Sequence, residues 1–198
     1  MKFVTCDSPP KQKTGKKVAI IGAGPGGLKA AGILICKGHE VVVYDMQPEP
    51  GGMLIFGIPD IRLQKEYVRR GIKQLEEFGV KFICNTKVGR DIMFDEILEK
   101  YDAVIIATGA WKDIKLDIPG SDANGVLYAL EFLESVAKEI HGYLDKDKAP
   151  KIGKKVVVIG GGDTAVDAAL VAKHMGVDVT IAYRRTREYM PAKQHNVK

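Results

Sequence analysis

Residues 15–45 read GKKVAIIGAGPGGLKAAGILICKGHEVVVYD, and this stretch decides the fold. Val18 to Ile21 is an apolar run, rich in β-branched residues, of the kind that forms a parallel strand buried on both faces. A glycine turn, Gly22-Ala23-Gly24-Pro25-Gly26-Gly27, feeds a helix of alanines and aliphatics. The helix stops near Gly38, where the missing Cβ tolerates a left-handed cap, and a second apolar strand follows at once. The G-x-G-x-x-G spacing has a mechanism in this setting. Gly22 permits the tight turn, Gly24 lets backbone N–H groups approach a pyrophosphate, and Gly27 lets the helix pack close to the strand. Pro25 and Gly26 complete the turn. Phosphates then face the helix N-terminus, where unpaired amides and the positive end of the dipole favour negative charge. Asp45 lies 23 residues after Gly22, at the end of the second strand. A carboxylate there can accept hydrogen bonds from both ribose hydroxyls.

The stretch occurs twice. Residues 15–45 align without gaps onto residues 153–183, GKKVVVIGGGDTAVDAALVAKHMGVDVTIAY, with 11 identities in 31 positions. That is enough to read a second βαβ unit rather than a chance glycine turn. Val156 to Ile159 is its first strand, also expected to be buried on both faces, and Gly176 ends its helix. Its turn, Gly160-Gly161-Gly162-Asp163-Thr164-Ala165, is the G-x-G-x-x-A form of the same device. The position of Asp45 is taken by Tyr183, followed by Arg184 and Arg185. The ribose-binding acid is gone, and two guanidinium groups stand where a 2′-phosphate can be met bidentately. The second site is therefore expected to prefer NADP(H) over NAD(H).

Between the copies lie a turn-rich stretch from Gln47 to Pro59, a helix with Val68, Ile72, Leu75 and Phe78 on one face, and a strand over 80–84. A short helix over 94–100 and a buried strand over 102–109 follow, and an amphipathic helix is expected near Tyr128 to His141. The fold class is α/β, with two Rossmann-like βαβ dinucleotide-binding units. The second is incomplete, since a mononucleotide-binding half ordinarily needs three parallel strands. The organisation expected is an N-terminal extension over 1–14, the N-terminal part of a first nucleotide-binding domain over 15–120, a connecting helix and loop over 121–150, and a partial second domain over 151–198.

Composition excludes several classes of function. Hydrophobic residues make up 45% and charged residues 28% of the chain, as in ordinary globular domains. No apolar run approaches the ~18 residues of a membrane span, and no secretory core stands at the N-terminus, so a cytoplasmic protein is expected. The net charge of +5 is concentrated in lysine clusters at 11–17 and 146–155. No nucleic-acid recognition motif accompanies them, so they are read as solvated surface or as a face for an acidic partner. Cys6, Cys36 and Cys84 are far apart, with no C-x-x-C or C-x4-C pair, and are read as isolated thiols, neither a metal site nor a redox dithiol. His39, His141, His174 and His195 are scattered, and no catalytic side chain is named.

The motifs KKVAIIGAGPGGL, YDMQPEPGGMLIFGIPDIRL, VIIATGA, IPGSDANGV, VVVIGGGDTAVDAA and YRRTREYMPA run in order from about residue 15 to 192. In this the chain resembles the small (β) subunit of NADPH-dependent glutamate synthase and its relatives, including the flavin domains of dihydropyrimidine dehydrogenase and NADH-dependent ferredoxin:NADP oxidoreductase. The resemblance implies FAD at the first unit and NADPH at the second, with hydride passing from nicotinamide to flavin. It also implies roles for Gly52 and Met53 near the ribityl chain and flavin, for Arg62 in the same site, for Val88 beside the adenine, and for Thr108 and Gly109 near the pyrophosphate. An aliphatic residue such as Met53 or Val88 is, on general grounds, more often core than cofactor wall.

Two departures from that family qualify the expectation. The cysteine-rich iron–sulfur domain usual at the family's N-terminus has no counterpart in residues 1–14, and no segment returns to the first domain after the second. The chain is therefore expected to be a fragment, a subunit completed by another polypeptide, or a short relative. The expected partner is a protein: a large subunit, a completing chain or a ferredoxin-like electron acceptor, with self-association also open and neither nucleic acid nor membrane involved. The alternative function is a non-catalytic nucleotide-binding or assembly module.

Overall fold

The computed structural model describes residues 1–193, which form two compact units. The first comprises Met1–Ile55 and Asp60–Ala110, and the second comprises Phe56–Pro59 and Trp111 onward. In chain order the first unit carries β1 (Lys17–Ile21), α1 (Pro25–Cys36), β2 (Glu40–Tyr44), the one-turn α2 beginning at its edge (Met53–Phe56), α3 (Lys65–Glu77), β3 (Lys81–Ile83), α4 (Phe94–Lys100) and β4 (Ala103–Ile106). Its four strands are all parallel, in the order β3-β2-β1-β4.

Only the first residue of β1 is exposed, as expected of a strand with neighbours on both edges and helices over both faces. Successive side chains point to opposite faces, so the apolar run serves two cores at once. Ala19 and Ile21 join Val42, Tyr44 and Ile97 of α4 in one cluster, with Val88, Ile92, Tyr101 and Val104 packed against it. On the other face lies α1, whose Gly27 comes close to Ile20. Val68, Ile72 and Leu75 of α3 are buried, as their helical spacing predicts.

The N-terminal residues are part of this unit. Phe3 and Val4 are buried. A Cβ on Gly32 of α1 would lie 2.2 Å from the Phe3 carbonyl oxygen, and one on Gly71 of α3 would lie 2.5 Å from the Met1 carbonyl oxygen. Two helix glycines thus make room for the crossing backbone. The crossing also overturns the reading of the cysteines as isolated thiols. Cys6 and Cys36, 30 residues apart in sequence, form a disulfide with Cα atoms 5.7 Å apart. No local spacing announces it, because tertiary packing makes the approach. The bridge sits at the last residue of α1, roughly 18 Å along the helix from its N-terminus at 1.5 Å per residue. Cys84 is the free cysteine.

The second unit carries α5 (Ala129–Ile140), β5 (Lys155–Ile159), α6 (Asp163–His174), β6 (Asp178–Ala182) and a 3-10 turn (Arg187–Tyr189). Phe132, Leu133 and Val136 of α5 meet Ala168 and Ala172 of α6 in a cluster that also packs Ile152, Val156 and Val179. Here the expectation of a strand buried on both faces fails. Val157 and Ile159 of β5 are 63% and 61% exposed, because α5 and α6 pack on the opposite face of the pair, against Val156 and Val179. Among the described residues β5 and β6 pair only with each other.

The internal repeat holds down to single hydrogen bonds. β1 pairs with β2 in the register Lys17↔Glu40, and β5 with β6 in the register Lys155↔Asp178. The amide of Gly22 donates to the Tyr44 carbonyl at 2.8 Å, and that of Gly160 donates to Ala182 at 2.9 Å. Among the described residues, no helix is long and apolar enough to cross a membrane.

Candidate functional site

Each unit presents one candidate site, at the carboxyl end of its parallel strands, where open α/β sheets bind ligands. In the first unit the turn is shaped by what a Cβ would strike. At Gly22 (φ +106°) it would lie 2.3 Å from the Ala107 carbonyl oxygen, and at Gly27 it would lie 1.8 Å from that of Gly22. Both positions therefore require glycine for packing. Gly24 and Gly26 differ, because a Cβ on either meets nothing within 4 Å. Gly24 is the N-cap of α1, no side chain caps the helix, and Pro25 opens its first turn. An uncapped helix start facing open space is the cradle that a phosphate group fills.

Asp45 stands directly after β2 and is buried. One carboxylate oxygen accepts the Ala23 N–H and the other accepts the Gln47 N–H at 2.7 Å. Burial raises its pKa above the ordinary carboxylate value, while the Gln47 and Ala23 N–H groups pull it down. The acid is thus tied to the turn as well as placed beside it. Each oxygen retains acceptor capacity beyond these bonds.

The structure brings Gly52 and Thr108 to the same place. A Cβ on Gly52 (φ +53°) would lie 2.8 Å from Gly24 Cα, and the Gly51 N–H donates to the Ala23 carbonyl at 2.8 Å. The Thr108 Cα lies 3.0 Å from the Cβ position of Gly22, and Gly109 (φ +70°) turns the chain after it. Met53 starts α2, half-buried, and Arg62 is half-buried in the loop before α3. Val88 packs onto the cluster that contains Tyr44. Gln47 and Lys65 escaped the sequence reading, and both are buried. The Lys65 ammonium donates to the Leu54 carbonyl at 3.0 Å and lies 3.7 Å from Asp60, bracing the loop that follows Gly52. No local pattern marks either residue, because a polar side chain in a turn or at a helix start is ordinarily exposed.

In the second unit Gly160 (φ +140°) makes the turn and Gly162 caps α6 with no side-chain cap and nothing within 4 Å of its Cβ position. Asp163 and Thr164, in the first turn of α6, are exposed, as are Arg184 and Arg185 just beyond β6. Gly161 is filled from outside by the Tyr183 ring, 2.7 Å from its Cβ position. Sequence comparison of the two copies marked Tyr183 only as the place where an acid is missing. His195 lies outside the described residues. Among the described residues no group of His, Cys, Asp or Glu side chains is arranged to hold a metal ion.

The chain is 44% identical to the glutamate synthase [NADPH] small chain of Escherichia coli over 191 residues, 94% of this chain and 40% of that one. It is 45% identical to a putative glutamate synthase [NADPH] small chain of Cereibacter sphaeroides over 190 residues, 95% of this chain and 46% of that one. The chain therefore spans less than half the length of these relatives. Among solved structures it resembles Mycobacterium tuberculosis FprA in complex with NADPH, with a TM-score of 0.76 and 27% identity, covering 92% of this chain and 46% of FprA. The resemblance read from the motifs thus holds over nearly the whole chain. The match of residues 16–198 takes in both glycine turns, and by it the chain belongs to the pyridine nucleotide-disulphide oxidoreductase family.

Proposed function

We propose that the chain is the nucleotide-binding part of an FAD-dependent NADPH oxidoreductase of the glutamate synthase small-chain type, passing electrons from NADPH through flavin to a partner subunit or acceptor. The observation that carries this reading is the pair of uncapped helix N-termini, at Gly24 and Gly162, each facing open space at the end of parallel strands. One is followed by an acid at the end of the next strand and the other by two arginines.

In this reading residues 15–120 are the N-terminal part of the FAD domain and residues 151–198 a partial NADP(H) domain. The amides at the start of α1 hold the FAD pyrophosphate, with Thr108 and Gly109 beside it, and Asp45 accepts the ribose hydroxyls. Gly52, Met53 and Arg62 serve the flavin end and Val88 the adenine end. Gly160 to Thr164 hold the NADPH pyrophosphate, and Arg184 and Arg185 meet the 2′-phosphate. Bound flavin supplies a two-electron acceptor for hydride. Hydride transfer needs placement and exclusion of water rather than a protein acid or base, so this chain's residues bind and orient.

The exposed Val157 and Ile159 support a reading in which further polypeptide, of the kind the relatives carry beyond the matched part, covers β5. A large subunit or ferredoxin-like acceptor is the partner proposed, in the cytoplasm. Purified protein that is yellow, and that is bleached by NADPH under anaerobic conditions, is the expected result. Colourless protein that takes up neither FAD nor NADPH overturns the reading in favour of an assembly module.

A further inference from the structure

The replacement of Asp45 by Tyr183 in the second copy changes the mechanics of the turn as well as its charge. The Tyr183 ring occupies the flank of Gly161, at 2.7 Å from where a Cβ would stand. Its hydroxyl donates to the Tyr189 carbonyl at 3.0 Å. Between these two anchors the chain carries Arg184, Arg185 and Arg187. The loop then returns to the turn, where the Ala192 N–H donates to the Gly161 carbonyl at 2.9 Å and the Lys193 N–H to the Asp163 carboxylate at 3.3 Å. Ala192 is buried at this closure. The arginine loop is thus fastened to the glycine turn at three points.

Exposed arginines on an unfastened loop must be ordered by the ligand, and that ordering subtracts from affinity. Fastening the backbone in advance fixes the span between the phosphate cradle at Gly162 and the guanidinium groups. We propose that Tyr183 is a positioning residue for phosphate selectivity: it locks the arginine loop onto the second glycine turn, so that a 2′-phosphorylated adenine nucleotide is met by arginines already in place. The proposal rests on the reading of this turn as the NADP(H) site.

The test compares NADP+ with NAD+, which differ only in the 2′-phosphate, by isothermal titration calorimetry on the purified full chain. Tyr183→Phe keeps the ring on Gly161 and removes only the hydroxyl. Loss of one hydrogen bond predicts a Kd for NADP+ raised about 3- to 10-fold, with the Kd for NAD+ changed less than about twofold. Equal weakening of both nucleotides means a merely structural hydroxyl and overturns the proposal, as does no change in either. A wild-type chain that does not distinguish NADP+ from NAD+ overturns the NADP(H) reading itself, and the proposal with it. If Tyr183→Phe melts early, the same split is read at a temperature where its circular dichroism matches the wild type, and on Tyr183→Leu, which takes the ring off Gly161 together with the hydroxyl. Selective loss of NADP+ supports the lock, and parallel loss of both overturns it.

Discussion

The carboxylate of Asp45 accepts the backbone N–H of Ala23, so the end of β2 is bonded directly to the glycine turn that follows β1. The same carboxylate accepts the Gln47 N–H at 2.7 Å. A residue that the spacing marks for ribose is therefore also a structural tie, and its removal acts on both roles. Asp45→Ala leaves two N–H groups in a buried setting without their acceptor, at about 1–3 kcal/mol each. Urea unfolding of the first unit and FAD affinity are expected to fall together.

Titration of Asp45 has a definite sign. Burial, the larger cause, raises its folded-state pKa above the ordinary 3.8, and the Gln47 and Ala23 N–H groups oppose this. The folded chain then holds the proton more tightly than the unfolded chain does. The stability this contributes is complete below the unfolded pKa and is lost as pH rises through the folded one. Asp45→Asn cannot titrate. The unfolding free energy of the wild type minus that of Asp45→Asn should fall as pH rises from below the ordinary 3.8 through the raised folded-state value, and a flat or rising difference contradicts the assignment.

Two glycines of one turn should respond oppositely to alanine. At Gly27 the added Cβ would lie 1.8 Å from the Gly22 carbonyl oxygen, whereas at Gly24 it meets nothing within 4 Å and φ is −74°. Gly27→Ala is expected to destabilise the first unit by about 3 kcal/mol or more through forced backbone shifts. Gly24→Ala should melt within a few degrees of the wild type and yet bind FAD at least about tenfold more weakly, because the methyl group enters the phosphate's approach. Unimpaired FAD binding by Gly24→Ala removes the case for this cradle.

The Cys6–Cys36 bridge closes a 30-residue separation across the N-terminal segment and α1. On the chain-entropy account, a loop of that size stabilises by roughly 3–4 kcal/mol. Melting with and without a dithiol reductant should show a clear drop in Tm on reduction, reproduced by Cys6→Ser. Flavin affinity is expected to change little, since the bridge lies at the far end of α1. If the purified chain shows three reactive thiols under denaturing, non-reducing conditions, the bridge is not formed.

Cys84 should be a slow thiol. Burial pushes its pKa up to about 11, and the carboxylates of Asp45, Glu49 and Glu76 add to the effect. Since the thiolate is the nucleophile, alkylation by a maleimide at neutral pH is expected to be at least about tenfold slower than for a small free thiol. Its rate should keep climbing as pH is raised past 9. Fast labelling at neutral pH contradicts this burial.

Local pattern was sufficient wherever a residue's role depends on its neighbours in sequence. The β-branched runs, the two glycine turns and the helical spacing of Val68, Ile72 and Leu75 each carry their own geometry. The short helix Phe94–Lys100 was legible for the same reason. The candidate site was legible to the extent that strand ends and helix starts are: Gly22, Gly24, Gly27 and Asp45 converge because β1, β2 and β4 are parallel and end together. Lys65 and Gln47 were not legible, because burial of a polar side chain is decided by what folds over it.

By itself the sequence determined that the chain contains two βαβ nucleotide-binding units, and that their second strands end in opposite charges, Asp45 in one and Arg184 with Arg185 in the other. Periodicity and glycine spacing suffice for that, since the backbone responds to them locally. Only the tertiary structure decided that Cys6 meets Cys36, that β5 leaves Val157 and Ile159 exposed, and that the Tyr183 ring seats on Gly161. Each of these turns on which distant segment arrives at a surface, or on none arriving, and spacing along the chain does not encode that.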